Sequence, residues 1–241
     1  MQRKTIEDIQ KKKNFQKITC LTAYTASVAK VVDKHVDMIL IGDSLGTAIY
    51  GMANTQSVTL DMMIAHGKAV INYSKKAYTI IDMPYNTYNN NKEALFNAKK
   101  LLNNTNCQSV KLETDSSHIK TVNYLVKNNI QVVAHIGVTP QKYKNFNKIK
   151  SVGTNPSQAK KTFKLAHQLE QAGSSMIVLE CMKESLAKEI SKKIKIPTIG
   201  IGASKHCDGQ VLVINDILNT SNLTKKPRFI KSYTNIAKII E

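Results

Sequence analysis

The sequence predicts an α/β fold, a (β/α)8 TIM barrel, and three observations support it. Short apolar runs rich in Ile and Val alternate with amphipathic helical patterns from one end of the chain to the other. Most of these runs contain few polar positions, which is typical of parallel strands covered on both faces. The chain has 241 residues, enough for one large α/β domain. Eight strand–helix repeats in this length fit the barrel, and a doubly wound open sheet is the alternative.

The predicted strands follow the apolar runs, and the predicted helices fill the spaces between them. Strands are expected at residues 17–24, 37–44, 77–85, 108–114, 131–137, 175–181, 197–203 and 210–218. Helices are expected from about residue 60, capped by Thr59 or Asp61, and at 92–104, 117–128, 155–172, 182–194 and 227–241. Gly173 should end the helix before it. No linker rich in Pro, Gly or Ser divides the chain, so we expect residues 1–241 to form one barrel domain with a short N-terminal helix.

The composition argues against a membrane or secreted protein. No stretch approaches the roughly 18 to 20 apolar residues of a membrane helix. The first ten residues contain no apolar signal-peptide core, so we expect a cytoplasmic protein with no membrane partner. Cys20, Cys107, Cys181 and Cys207 are scattered, which predicts reduced and mostly buried thiols.

A net charge of +18 raises the question of nucleic-acid binding. Only Arg3 and Arg228 are arginines, so lysine supplies 33 of the 35 basic residues. Arginine is preferred for bidentate recognition of phosphate and guanine. The lysines are also spread along the whole chain, so we expect solvated surfaces and no nucleic-acid partner.

Charged residues end several of the predicted strands. Buried carboxylates are costly unless they are paired or bind a metal. In a (β/α)8 barrel the active site lies at the C-terminal ends of the strands. Seven polar residues are therefore expected to converge on one small-molecule site: Asp43, Ser44, Asp82, Lys111, Glu113, His135 and Glu180.

The residue types in this set indicate a hard cation and a negatively charged substrate. Two or three carboxylates without Cys or His at ligand spacing favour Mg²⁺, so we predict that Asp43, Asp82 and Glu113 hold it. Lys111 shares a strand face with Glu113 and would neutralise a small oxo-acid bound to the metal. The metal would stabilise an enolate as a Lewis acid, and Glu180 would act as the general base.

Simpler explanations are open for single residues. Lys111 and Glu113 would form an internal salt bridge, Asp43 would cap the next helix, and His135 would be a hydrogen-bonded core residue. The sequence contains no H-E-x-x-H, P-loop or G-x-S-x-G motif. The segment 200–202, Gly-Ile-Gly, is too short for a dinucleotide fingerprint and is interpreted as a close backbone approach at the barrel mouth.

Six motifs in a fixed order resemble those of one family. They are IGDSLG at 41–46, DMPY at 82–85, VKLE at 110–113, HIGVTPQ at 135–141, VLEC at 178–181 and IGIGA at 199–203, followed by CDGQ at 207–210. Over residues 18–229 the chain resembles the ketopantoate hydroxymethyltransferases. The resemblance implies a barrel of the phosphoenolpyruvate/pyruvate type, a homodecamer and a role in pantothenate biosynthesis. The implied reaction converts 5,10-methylenetetrahydrofolate, 3-methyl-2-oxobutanoate and water into 2-dehydropantoate and tetrahydrofolate.

The same resemblance implies a role for each matching residue. Asp43 and Asp82 would bind Mg²⁺, with Glu113 joining the metal shell. The two aspartates would also hold the keto acid, together with Ser44 and Lys111. The glutamate of the VLEC motif, at position 180, would be the proton acceptor.

Several positions depart from the family pattern. The loop 145–153 lacks a usual glycine pair, Asn215 stands where His is common, and Ser204 stands where Gly is common. These departures bear on loop closure, folate contacts and assembly, whereas the metal site is intact. The alternatives are another Mg²⁺-dependent keto-acid C–C lyase of the same barrel class, or a basic, non-catalytic binding protein.

Overall fold

A closed barrel of eight parallel strands forms the centre of the computed structural model, which describes residues 2–145, 149–221 and 227–240. Each strand pairs with the next one along the chain, and the last pairs with the first. The strands are β1 (Ile18–Thr22), β2 (Met38–Ile41), β3 (Tyr78–Asp82), β4 (Ser109–Glu113), β5 (Val132–Gly137), β6 (Met176–Glu180), β7 (Thr198–Ile201) and β8 (Gly209–Leu212). The predicted barrel is confirmed, and the open sheet is excluded because the sheet closes.

Helices surround the barrel and connect its strands. In the described ranges they are α1 (Ile6–Gln10), α2 (Ala26–Val32), α3 (Leu45–Ala48), α4 (Leu60–Tyr73), α5 (Asn91–Thr105), α6 (Ile119–Lys127), α7 (Pro156–Gln171), α8 (Glu184–Lys193), α9 (Ile214–Leu218) and α10 (Ile236–Ile240). Thr59, not Asp61, caps α4, because its hydroxyl accepts a hydrogen bond from the backbone N–H of Met62 at 3.2 Å. Gly173 has a φ of 97° just after α7, as expected of a residue that ends a helix.

The predictions for the last quarter of the chain were partly wrong. The predicted strand 210–218 ends at Leu212, and its second half forms α9. Asn and Asp at 215–216 are poor strand residues, and Asn219 ends the helix in the left-handed conformation. The predicted helix 227–241 is helical only over Ile236–Ile240, while residue 241 lies outside the described residues. The backbone N–H of Tyr233 bonds to the carbonyl of Ile217 instead of to its own segment.

The connection from β7 to β8 contains no helix, unlike the connections between the earlier strands. It runs through residues 202–208, all of which are described. A Cβ atom on Gly200 would lie 2.9 Å from the Sγ of Cys207, so this loop packs directly on the strand. A Cβ on Gly202 would lie 2.4 Å from the ring of Phe229. Both contacts agree with the expected close backbone approach at residues 200–202.

Two apolar clusters hold the barrel together. One fills its interior with side chains such as Met38, Ile80 and Val133, and the other lies between the strands and the outer helices. Ile6 and Ile9 of α1 belong to the interior cluster, so α1 closes one end of the barrel. That end carries the N-termini of the strands, which leaves the opposite end for the predicted site.

The four thiols are free, and three of them, at positions 20, 107 and 207, are buried. Burial raises the pKa of Cys107 to about 12, which keeps that thiol protonated. Among the helices in the described ranges, none has the length and apolar character required to cross a membrane.

Candidate active site

The polar residues predicted from the sequence do lie at one end of the barrel. Asp82, Glu113 and Glu180 are the last residues of β3, β4 and β6. Asp43 and Ser44 lie between β2 and α3, one residue after the end of the strand. The sheet register places Asp82 beside Lys111, and Glu113 beside His135. The structure therefore brings all seven residues to the C-terminal mouth.

Lys111 is the buried cation at the centre of this group. Its Nζ lies 3.2 Å from Oδ1 of Asp82 and 3.4 Å from Nδ1 of His135. The ion pair of Lys111 is thus with Asp82 of the neighbouring strand β3. The alternative of an internal salt bridge with Glu113 is therefore wrong. Burial lowers the pKa of Lys111, but the charges of Asp82 and Asp43 outweigh it, so the pKa is raised and the side chain stays charged.

Three buried carboxylates surround this single lysine. Asp43, Asp82 and Glu113 are 7%, 2% and 3% exposed. Burial raises the pKa of all three, to about 7 for Asp82, while the charge of Lys111 opposes the shift. Among the described residues these three acids share one cation, Lys111, which cannot balance them all, and a further cation would relieve this.

His135 connects Lys111 with Glu180. The lysine ammonium can only donate, so Nδ1 of His135 accepts and Nε2 carries the proton of a neutral ring. That Nε2 lies 3.2 Å from Oε2 of Glu180, at an angle outside hydrogen-bond geometry. Burial, and then the charge of Lys111, lowers the pKa of His135, which keeps it neutral. His135 is thus buried, as the simple explanation required, but it faces the site.

Glu180 is the most accessible of the four carboxylates. Its side chain is 19% exposed, compared with 3% for Asp82 and Glu113. Its backbone packs against Gly137, where an added Cβ would lie 2.2 Å from the carbonyl oxygen of Glu180. Gly137 also has a φ of 104°, which favours glycine. This close approach fixes where the Glu180 side chain leaves β6.

Asp43 does not cap the following helix. Its Oδ2 accepts a hydrogen bond from Nε2 of Gln141 at 2.7 Å. Its backbone N–H donates to Oδ2 of Asp82 at 3.0 Å. Ser44 is the residue at the start of α3, and its side chain makes no capping bond.

Sequence reasoning missed two buried residues that contact this group. The hydroxyl of Tyr24, just after β1, lies 2.7 Å from Oγ of Ser44. Gln141 contacts the carboxylates of both Asp43 and Glu113. Gln141 is the last residue of the HIGVTPQ motif, and this position was a signal from which it could have been found. Tyr24 follows an ordinary strand pattern, which gives no such signal.

Nearly the whole chain matches one family. The model of the ketopantoate hydroxymethyltransferase family matches residues 3–241. The chain belongs to the ketopantoate hydroxymethyltransferase family. A 3-methyl-2-oxobutanoate hydroxymethyltransferase of Pelagibacter ubique is 48% identical over 237 residues, which cover 98% of this chain and 90% of that relative. The enzyme of the same name from Anaplasma marginale is 43% identical, over 98% of this chain and 84% of that relative. The predicted family and its enzyme class, a transferase, are confirmed.

Solved structures with a similar fold belong to other enzymes. A phosphonopyruvate hydrolase in complex with oxalate and Mg²⁺ has a TM-score of 0.62 and 12% identity, covering 81% of this chain and 71% of that one. A 2,3-dimethylmalate lyase, a member of the PEP mutase/isocitrate lyase superfamily, has a TM-score of 0.60 and 12% identity, covering 86% and 80%. At this identity the likeness concerns the fold alone, and it agrees with the (β/α)8 barrel of this member of the ketopantoate hydroxymethyltransferase family.

The oxygen-rich site suits a hard cation with few protein ligands. In the ranges that the structure describes, no three Asp, Glu, His or Cys side chains form a ready-made metal-binding group. Mg²⁺ commonly uses one or two carboxylates and completes its shell with waters and substrate oxygens. Asp43 and Asp82 are adjacent, and the buried Oδ1 of Asp82, which lies 3.2 Å from the Lys111 ammonium, makes no hydrogen bond within the described part of the chain. The donor set of Asp43 and Asp82 therefore fits Mg²⁺.

Proposed function

We propose that this chain transfers a hydroxymethyl group from 5,10-methylenetetrahydrofolate to 3-methyl-2-oxobutanoate, giving 2-dehydropantoate in pantothenate biosynthesis. Membership of the family supports the type of transfer. The observation that carries the proposal is the site itself: three buried carboxylates around one buried lysine, with a fourth, more accessible carboxylate beside them. This arrangement suits a small keto acid and a divalent cation.

The buried residues would bind and orient the keto acid. Asp43 and Asp82 would hold Mg²⁺, with Glu113 next to it. When bound, the cation supplies Lewis-acid stabilisation of negative charge on the substrate oxygens. Lys111 stays charged and would pair with the substrate carboxylate. Ser44, held by the Tyr24 hydroxyl, would donate to a substrate oxygen.

Glu180 would take the proton from C3 of the keto acid. Its exposed fraction lets it reach a substrate in the mouth, and the neutral His135 ring stands on its other side. After proton loss, C3 forms a bond to the one-carbon unit of the folate. One of the two C–N bonds of that carbon breaks in this step, and water then displaces the second nitrogen and leaves its oxygen as the hydroxyl. The two nitrogens of the departing tetrahydrofolate take up the C3 proton and one proton from water, which balances the overall reaction.

The remaining expectations are part of the same proposal. The chain would act in the cytoplasm on small molecules, without nucleic-acid or membrane partners. It would assemble as a homodecamer, ten times the 26.8 kDa mass of one chain. Light scattering during size-exclusion chromatography measures this mass directly.

The main test is product formation from the three proposed substrates. Ketopantoate should appear with Mg²⁺ and disappear with EDTA. Asp43→Asn should abolish turnover, whereas Asp61→Asn, an acid-to-amide change at an 83% exposed surface residue, should not. Absence of product with every divalent metal tried would contradict the proposal. DNA retention on filters at about 0.2 M salt would instead favour a basic binding protein.

A further inference from the structure

Gln141 connects the ends of three neighbouring strands. It lies in a 3-10 turn, Pro140–Lys142, after β5 and is 2% exposed. Its Nε2 donates to Oδ2 of Asp43 at 2.7 Å and to the carbonyl of Met83 at 3.0 Å. Its backbone N–H lies 3.2 and 3.1 Å from the two carboxylate oxygens of Glu113. Asp43 follows β2, Met83 follows β3 and Glu113 ends β4. One residue thus contacts the C-terminal end of each strand that carries a predicted metal ligand.

The chemistry of its neighbours fixes the orientation of the Gln141 amide. The Met83 carbonyl can only accept, so it must face the NH2 group, which then also points at Asp43. The hydroxyl of Tyr88 donates to Oε1 on the other side. Tyr88 is itself 8% exposed, so this contact is sheltered from water. If the Gln141 amide were flipped, its oxygen would face the Asp43 carboxyl group and the Met83 carbonyl. Its NH2 group would face the hydroxyl proton of Tyr88. Tyr88 therefore holds Gln141 in the one orientation that satisfies all its partners.

Such a residue counteracts the repulsion among the acids. Asp43 and Glu113 come from different strands, and like charges in a buried site push each other apart. The side chain and the backbone of Gln141 donate to one carboxylate each, and the short turn that carries both groups sets their separation. Hydrogen bonds of this kind orient metal-binding carboxylates, and their loss typically weakens metal binding about 10- to 100-fold.

We propose that Gln141 is a positioning residue that holds the Asp43 and Glu113 carboxylates in the arrangement that binds the divalent cation, and that Tyr88 fixes Gln141 for this task. The inference rests on the proposed function, because it takes the three acids as the metal site. It assigns no contact between Gln141 and the substrate. Gln141 would affect the binding of the cation and not the chemical step.

Direct metal binding is the test that does not depend on turnover. The free Mn²⁺ signal in electron paramagnetic resonance gives the dissociation constant, with and without 3-methyl-2-oxobutanoate. Gln141→Ala should weaken Mn²⁺ binding about 10- to 100-fold. Tyr88→Phe should weaken it about two- to tenfold, since it removes one neutral hydrogen bond. Lys142→Met is the matched control in the same turn, because it removes only the half-exposed ion pair with Asp115, and its affinity should equal that of the wild type.

A kinetic readout separates positioning from general damage. Saturating Mn²⁺ should restore most of the kcat of Gln141→Ala, whereas a distorted site would stay slow at every metal concentration. Unchanged Mn²⁺ affinity in Gln141→Ala overturns the inference. If that variant does not fold, wild-type affinity in Tyr88→Phe overturns it equally. A wild-type chain that binds no Mn²⁺ also overturns it, while the product assay with EDTA decides the proposed function separately.

Discussion

Replacing Asp82 with Asn should stabilise the metal-free protein while abolishing its activity. Asp82 is 2% exposed and shares its surroundings with Asp43, and one lysine, Lys111, lies at ion-pair distance. Burial raises the pKa of Asp82 from 3.8 to about 7. Ionised Asp82 is therefore an unfavourable feature of the folded apo protein, and a neutral amide of the same shape removes it.

The size and sign of this effect follow from proton linkage. Between pH 3.8 and about 7 the folded chain binds more protons than the unfolded chain, so stability falls as the pH rises. A pKa difference of about 3 corresponds to about 4 kcal/mol, which is lost in full above pH 7. The pKa of about 7 already includes the attraction of Lys111, but the NH2 group of Asn cannot accept a hydrogen bond from that lysine, which offsets part of the gain. We expect Asp82→Asn to be more stable by roughly 2 to 4 kcal/mol at pH 8, and by less than about 1 kcal/mol at pH 4.5.

Urea unfolding in EDTA, followed by circular dichroism at both pH values, measures this difference. Asp61→Asn is the control, because Asp61 is 83% exposed and should change stability little at either pH. Added Mg²⁺ should stabilise the wild type through binding and leave Asp82→Asn nearly unchanged. A variant that is less stable than the wild type at pH 8, or one with the same difference at both pH values, would refute the electrostatic argument.

Three further substitutions test other parts of the site. Glu180→Gln should slow exchange of the C3 proton by at least about 100-fold, as measured by NMR in D2O. The control is Glu184→Gln at an exposed position, and normal exchange in Glu180→Gln would remove Glu180 as the base. Tyr24→Phe should raise the KM for the keto acid about two- to tenfold with little change in kcat, and an unchanged KM would show that the Ser44 hydroxyl needs no partner. Gly137→Ala should lower the free energy of unfolding by about 2 to 3 kcal/mol. The control is Gly51→Ala, at a φ of 64° with open space around its Cβ, which should lower it by only about 1 kcal/mol. Equal losses would show that the contact with Glu180 is unimportant.

The barrel and the placement of its acids could be predicted because both follow from local patterns. Val110 and Leu112 alternate with Lys111 and Glu113, so the period of two places the polar pair on one face of β4. Closure of the parallel sheet then brings the ends of different strands together. The alternation along the strand and the closure of the sheet can both be inferred without knowledge of any side-chain contact. The acids could therefore be found from the sequence.

The bonds that hold the acids in place could not be predicted in this way. Gln141 contacts Asp43, 98 positions away, and its role depends on a 3-10 turn with no periodic pattern. The hydroxyl of Tyr24 follows a buried strand, where an apolar aromatic residue would fit the pattern equally well. Helix α9 was missed because five residues are too few to show a helical period. The loop 145–153 includes residues 146–148, which lie outside the described residues.

The burial of the four carboxylates divides their roles more clearly than their positions in the sequence do. A general base must reach the substrate and later release its proton, and Glu180 is the one of the four that solvent reaches to a substantial degree. Asp82 and Glu113 are enclosed, and burial raises the pKa of both carboxyl groups, to about 7 for Asp82. Neutral carboxyl groups bind Mg²⁺ poorly, so metal binding must displace their protons. The affinity for Mg²⁺ should therefore rise with pH up to about 7, in the same range in which the apo protein loses stability. The two effects have one cause, since Mg²⁺ and the proton compete for the same buried carboxylate.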